Sequence, residues 1–247
     1  MKTRRVRHAF AALAVAAAVG GLSQSVTASV VLIDSLNGAT ADGSVDISDT
    51  QWAAQTFTTT ASDYVLDLLS VRLYNNGATA GDMAVSIYDA TGAGGTPGSF
   101  IRRVFDQDVT SLGTSLSNPT EVFRIFAADP YPSRVLSPST TYYVVIKGSG
   151  ITGGTGKWTW TNTNTGTGVS GSVSSYSTDG STWGAPQATV PLQVRVTAVP
   201  EPSGLALAAI AGSGAVVWGW RAARSRRLQN PSPASANGTS AQEAFRR

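Results

Sequence analysis

The 247-residue chain has no cysteine and a single histidine, His8. Without thiols there is no disulfide, no thiol nucleophile and no thiolate metal site, so stability has to come from packing. His8 lies in the basic and apolar leader, which leaves the rest of the chain without an imidazole. Ser-His-Asp and Cys-His catalysis, histidine acid-base chemistry and nearly every zinc, copper or non-haem iron site are thereby excluded. Charge is scarce and unevenly placed. The formal net charge of +3 comes from the two ends, because between Ser29 and Ala198 eight basic side chains against thirteen acidic ones leave the middle at −5. An acidic domain does not gain from counterion release, so no nucleic-acid partner is expected.

The ends read as targeting segments. Lys2, Arg4, Arg5 and Arg7 precede an apolar stretch from Ala9 to Gly21, and polar residues follow up to Val26-Thr27-Ala28. Residues 1–28 are thus a secretory signal peptide cut after Ala28, which requires the general secretion machinery and signal peptidase as partners. Thirteen apolar residues are too few for a retained span. Near the other end, Val199-Pro200-Glu201-Pro202-Ser203 leads into seventeen uncharged residues, 204–220, and then Arg221, Arg224, Arg226 and Arg227. At about 1.5 Å per residue this run reaches roughly 26 Å, near the lower limit for a transmembrane helix. The arginines would stay on the cytoplasmic side, with Trp218 and Trp220 at the interface and everything before Val199 outside. Two prolines around Glu201 favour a stiff, extended and accessible stretch just outside the membrane. Beyond the arginines, residues 228–247 are rich in Pro, Ser, Ala and Asn and read as a disordered cytoplasmic tail.

Pro200, Glu201 and Pro202, the apolar run and the arginine cluster together resemble the PEP-CTERM sorting signal of Gram-negative bacteria, over residues 199–227. The resemblance implies processing by a membrane enzyme of the exosortase kind and an association with exopolysaccharide and biofilm production. It implies a protein exported across the inner membrane, transiently anchored, and then held at the envelope surface or in the extracellular matrix.

The exported part, residues 29–198, is long enough for one domain that buries roughly 70% of the surface its unfolded chain would expose. Its hydrophobic period is two, with turn residues between short runs. Val190, Leu192, Val194 and Val196 share one face of a strand that Pro191 places at a start or an edge. Met83, Val85 and Ile87 alternate with Ala84, Ser86 and Tyr88, as Leu69, Val71 and Leu73 do with Ser70, Arg72 and Tyr74. Tyr142 to Ile146 is apolar on both faces, as a central strand between packed layers would be. Glu121 to Ala127 supplies another strand, and Asn75-Asn76-Gly77, Gly92 to Gly98, Ser117-Asn118-Pro119 and Asp179-Gly180 favour reversals. About nine short strands at this spacing predict an all-β, two-sheet sandwich of jelly-roll type.

Three segments carry a further resemblance. They are Ala54-Gln55-Thr56-Phe57-Thr58, Val85-Ser86-Ile87-Tyr88-Asp89 with Gly95-Thr96-Pro97-Gly98, and Leu136-Ser137-Pro138-Ser139-Thr140-Thr141-Tyr142-Tyr143-Val144. The domain is similar to the choice-of-anchor domains, most nearly type R, which implies an extracellular surface module and supplies no catalytic residue.

Four constellations remain. Asp42, Asp46 and Asp49 crowd a polar loop and offer hard oxygen ligands of the sort calcium takes, or are solvated loop carboxylates. Asp106 and Asp108 would share a strand face and imitate a glycosidase pair, or be exposed loop acids. Gly153-Gly154-Thr155-Gly156-Lys157 departs from a phosphate-binding loop at Ile151 and at Trp158, which stands where Ser or Thr is required. Trp158 and Trp160 point the same way on a strand and, with Trp183, could stack on a sugar or fill the core. The first expectation is a non-enzymatic surface or matrix protein with a structural or adhesive role and no cofactor beyond a structural calcium. A carbohydrate-binding module and a glycoside hydrolase or lyase are the alternatives.

Overall fold

The structure is a computed structural model that describes residues 28–37, 39–127, 135–163, 165–188 and 190–201. The signal peptide up to residue 27, Pro202, the apolar run, the four arginines after it and the tail lie outside the described residues. Twelve strands form: β1 Val30–Asp34, β2 Gly43–Ile47, β3 Trp52–Thr58, β4 Tyr64–Asn76, β5 Ala80–Asp89, β6 Phe100–Asp108, β7 Thr120–Ile125, β8 Val135–Leu136, β9 Thr141–Thr152, β10 Thr155–Trp160, β11 Ser174–Ser177 and β12 Val194–Pro200. Among the described residues no helix is long and apolar enough to cross a membrane.

Two antiparallel sheets pack face to face. The second has the order β11-β3-β9-β5-β6. The first is organised by β4, thirteen residues long. One edge of β4 pairs with β12 over Tyr64 to Val71 and then with β10 over Leu73 to Asn76. Its other edge pairs with β8 at Tyr64 and Val65 and with β7 from Leu68 to Leu73. Outside β12 and β10 lie β1 and β2. The seven strands thus form four rows: β1 with β2, β12 with β10, β4, and β8 with β7.

Alternation decides what faces the core. Met83, Val85 and Ile87 of β5 and Leu69, Val71 and Leu73 of β4 are fully buried between the sheets. In β9, Tyr142, Val144 and Ile146 face that core, while Tyr143 and Val145 join Ala54 in a second cluster on the outer face of the second sheet. The doubly apolar run is therefore a central strand with cover on both sides. Loops provide the outer cover: the Tyr143 hydroxyl donates to the Gly95 carbonyl at 2.7 Å, and Trp183 packs against this cluster. Burial raises the Tyr143 pKa above its ordinary value.

Twelve strands form where about nine were expected. The extra ones are short and polar, as in Ser174–Ser177, and carry no alternating apolar signal. The last strand begins at Val194, because Pro191 has no N–H to donate to a ladder, and Leu192 touches Trp160 only through an isolated bridge.

The segments that carry the choice-of-anchor resemblance hold turns together. Asp89 Oδ1 accepts from the Thr91 N–H at 3.1 Å, the Thr91 hydroxyl at 2.6 Å and the Ser99 N–H at 2.7 Å, so it closes the loop containing Pro97-Gly98. Slight desolvation works against its charge, but these bonds keep its carboxyl below the usual pKa. The Thr59 hydroxyl donates to the Ser137 carbonyl and accepts from the Thr140 N–H, which fastens the Ser137 to Thr140 turn to the end of β3.

Trp158 is the largest fully buried side chain, and its Nε1–H donates to the Gln193 carbonyl at 2.9 Å. Trp158→Ala removes the indole and the shorter of two bonds to that carbonyl, which also accepts from the Arg72 N–H at 3.3 Å. We expect a loss of about 3–5 kcal/mol in urea unfolding, with the slope of the transition unchanged. A loss below about 1 kcal/mol would contradict this packing.

Candidate functional site

The Pro200-Glu201-Pro202 segment begins inside the fold. Pro200 is the last residue of β12 and lies opposite Tyr64, and the Glu201 N–H donates to the Asp63 carbonyl at 3.0 Å. The sequence predicts a stiff, extended and accessible stretch. The structure keeps it extended at Pro200 but ties it to the sheet, since a strand end tolerates a residue without an N–H and Glu201 restores the missing donor. Glu201 Oε1 is withdrawn from solvent and has no hydrogen-bond partner.

The three candidate tryptophans lie in different surroundings. Trp158 is sealed in the core and presents no ring face to a ligand. Trp160 is half-buried at the core margin, and Gly43 lies so close that a Cβ there would be 2.1 Å from the indole. Trp183 sits beyond β11 on the outer face of the second sheet and meets Trp52 edge-on at 6.5 Å. Lys147 Nζ lies 5.0 Å from the Trp52 ring centre, and the Trp52 Nε1–H donates to the Asp49 carbonyl.

The structure adds aromatic neighbours that the sequence reading missed. Tyr88 meets Phe100 edge-on at 5.5 Å on the same sheet, and Phe100 is 55% exposed. These residues come from β3, β5, β6 and a loop, so only the strand order brings them onto one sheet. The alternation of β3, with Trp52 and Ala54 on one face and Ala53 on the other, was the available signal.

The loop aspartates do not converge. The carboxylate of Asp42 accepts from the Asn162 N–H at 2.7 Å, that of Asp46 pairs with Lys157 Nζ at 2.6 Å, and that of Asp49 accepts from Gly150 and Ile151 N–H at 3.0 and 3.1 Å. Each fastens the β2 end of the chain to β9 or to residues around β10. Partial burial works against the charge of Asp46, but the Lys157 and Thr155 hydrogen bonds and the ammonium charge outweigh it and lower the pKa. Among the described residues no group of three acidic or imidazole side chains could hold a metal ion.

Asp106 and Asp108 are likewise engaged singly. Asp106 pairs with Arg103, and Asp108 caps the turn Val109–Ser111 by accepting from the Thr110 hydroxyl and N–H, both at 2.8 Å. Those bonds lower the Asp108 pKa, the opposite of what a general acid needs. Gly153-Gly154 is the turn between β9 and β10, with Gly153 at φ 81° and Lys157 committed to Asp46.

An open groove of about 400 Å³ on the first sheet is lined by Ala39, Arg72, Leu116, Pro119 and Glu121 among others. Arg72 Nη1 donates to the Ala39 carbonyl at 2.9 Å, so the guanidinium braces the loop before β2. The groove has room for a small polar group and no paired acid and base within it.

The chain matches no family model and no curated protein. A solved structure of the infectious bursal disease virus Gx strain aligns with 71% of the chain at 12% identity and a TM-score of 0.23. The chain spans 41% of the length of that structure.

Asp179 governs how Trp183 is presented. Its Oδ1 accepts from the Thr182 N–H at 2.6 Å and the Ser181 N–H at 2.8 Å, which holds the carboxyl far below the usual range. A depressed pKa contributes stability that is complete above the unfolded value near 3.9 and fades as pH falls below about 4. Asp179→Ala, which removes the acceptor, is expected to leave the fold intact and weaken the Trp52–Trp183 near-ultraviolet dichroism at pH 7. The unsubstituted protein should show that change only on acidification. An unaltered spectrum in the variant would show that Asp179 does not hold this turn.

Proposed function

We propose that this is a non-enzymatic surface or matrix protein, exported by its signal peptide, held transiently by residues 204–220, and sorted through Pro200-Glu201-Pro202 by an exosortase-like enzyme. Its role is structural or adhesive, in association with exopolysaccharide. The observation that carries this reading is the order at the end of the chain. The closing strand runs without a linker into Pro-Glu-Pro, then seventeen uncharged residues, then four arginines.

The interior supports it as well, since the candidate carboxylates are occupied in bracing strands and turns. The row order β1/β2, β12/β10, β4, β8/β7 facing β3, β9, β5, β6 supports a jelly-roll assignment.

The test is intact mass and cell fractionation in the native host, comparing the natural chain with a Pro200→Ala, Glu201→Ala, Pro202→Ala variant. The natural protein should begin at Ser29 and lack the apolar run, and the variant should stay in the membrane with its C-terminus intact. An unprocessed C-terminus in both would reduce the segment to a plain anchor.

A carbohydrate-binding reading draws support from the exposed Phe100 and the half-buried Tyr88, Trp52 and Trp183 on the outer face of the second sheet. In a pull-down on host exopolysaccharide, Phe100→Ala and Trp183→Ala should each cut retention several-fold and Trp160→Ala should not. Equal retention of all three would remove this reading.

A further inference from the structure

The outer face of the first sheet is apolar at one end. Phe123 and Ile125 of β7 are 59% and 56% exposed and Val135 of β8 is 36% exposed. The register sets Ile125 opposite Leu68, and Val65 between Val135 and Val199. Directly paired residues share a face, so these side chains form one continuous patch across β8/β7, β4 and β12. β7 is also the outer strand of its row, and an exposed apolar edge of this kind invites pairing unless something covers it.

The patch adjoins the place where the chain leaves the domain. Val199 belongs to it, Pro200 follows in the same strand, and the Glu201 N–H is fixed to Asp63. Only Pro202 and Ser203 separate Glu201 from Gly204, the first residue of the uncharged run. Three extended steps span at most about 11 Å, which is shorter than the interfacial layer is deep on one side of many bilayers plus a single protein side chain. With the run in lipid, a connection of this length would keep the Glu201 end of β12 near the membrane surface.

We propose that the Phe123, Ile125, Val135, Val65 and Val199 face rests on the phospholipid surface, so that the anchored protein is held in one orientation rather than swinging on a tether. This rests on reading residues 204–220 as membrane-inserted. The nearby charges are of both signs and mostly engaged: Glu121 is set opposite Arg72, Arg195 pairs with Asp34, and Asp67 is occupied by the Ser29 and Thr197 hydroxyls. The contact is therefore apolar and does not depend on anionic lipid. The second sheet, with Phe100 and Trp183, is left facing away from the bilayer.

The absence of cysteine makes single nitroxide labels unambiguous. The protein, expressed in full and purified from membranes, is reconstituted in phosphatidylcholine vesicles with a label at Ile125→Cys, Val135→Cys, Thr91→Cys or Ser213→Cys. Labels at 125 and 135 are expected to respond several-fold more to oxygen, relative to a water-soluble nickel chelate, than the label at 91. Adding Phe123→Asp should bring the label at 135 to the value at 91 while the label at 213 stays in lipid. If 213 is in lipid but 125 and 135 match 91, the anchor stands and the proposal fails. If 213 is in water, the anchor reading and the proposal fail together. Spin-spin broadening at 125 without oxygen preference means that a second copy covers the patch, which also overturns it.

Discussion

The sandwich has no covalent link between its layers, and a buried amide serves in place of one. Gln55 points inward from β3, accepts from the Leu192 N–H at 2.8 Å and donates through Nε2 to the Val173 carbonyl at 3.1 Å. Leu192 lies just ahead of β12 in the first sheet and Val173 just ahead of β11 in the second. One side chain therefore satisfies the Leu192 N–H, which the interruption at Pro191 leaves without a ladder partner, and adds to the Val173 carbonyl, which also accepts from the Thr56 N–H at 3.0 Å. Such groups cost about 1–3 kcal/mol each when buried and unmade. Gln193 repeats the device, accepting from the Thr159 hydroxyl and donating to the Ala39 and Thr40 carbonyls. Gln55 therefore ties the second sheet to the first, while Gln193 fastens β10 and the loop before β2 to the approach to β12 within the first sheet.

The second dependence is on β4. Its edges serve β12 and β10 on one side and β8 and β7 on the other, so a long strand carries two shorter ones in line on each flank. A register shift between Thr197 and Ala198 against β4 absorbs the extra residue at Asp67, which lets Leu66 and Leu69 both point inward. The same adjustment brings Leu68 out beside Ile125. The exposed apolar patch beside Ile125 and the inward packing of Leu66 and Leu69 are two results of one bulge.

Much of this was legible in the residues. Period-two patterning located β4, β5 and β12 and their faces, because alternation is the direct image of a half-buried strand; β9 showed as a doubly apolar run, and β7 as a strand whose Phe123 and Ile125 the fold turns outward. It was silent on β2 and β11, whose Gly and Ser content reflects close packing and side-chain hydrogen bonds. The aspartates near β2 looked like a ligand cluster because sequence proximity cannot tell convergence from divergence; the fold sends Asp42, Asp46 and Asp49 to three different partners. Trp158 and Trp160 were placed on one face as expected, and that face is the interior. The aromatic neighbours of Trp183 come from segments far apart in the chain, which no single window could gather.

Val30 at the beginning of β1 pairs with Ala198 near the end of β12. Among the described residues the first strand of the domain finds its ladder partner in the last, with nearly the whole domain between them. Loop closure over that distance delays the pairing, and every earlier segment can be in place while this edge is still open. The closing strand is thus the keystone, and tension or cutting applied just beyond Pro200 acts on the seam that joins the first and last strands of the domain.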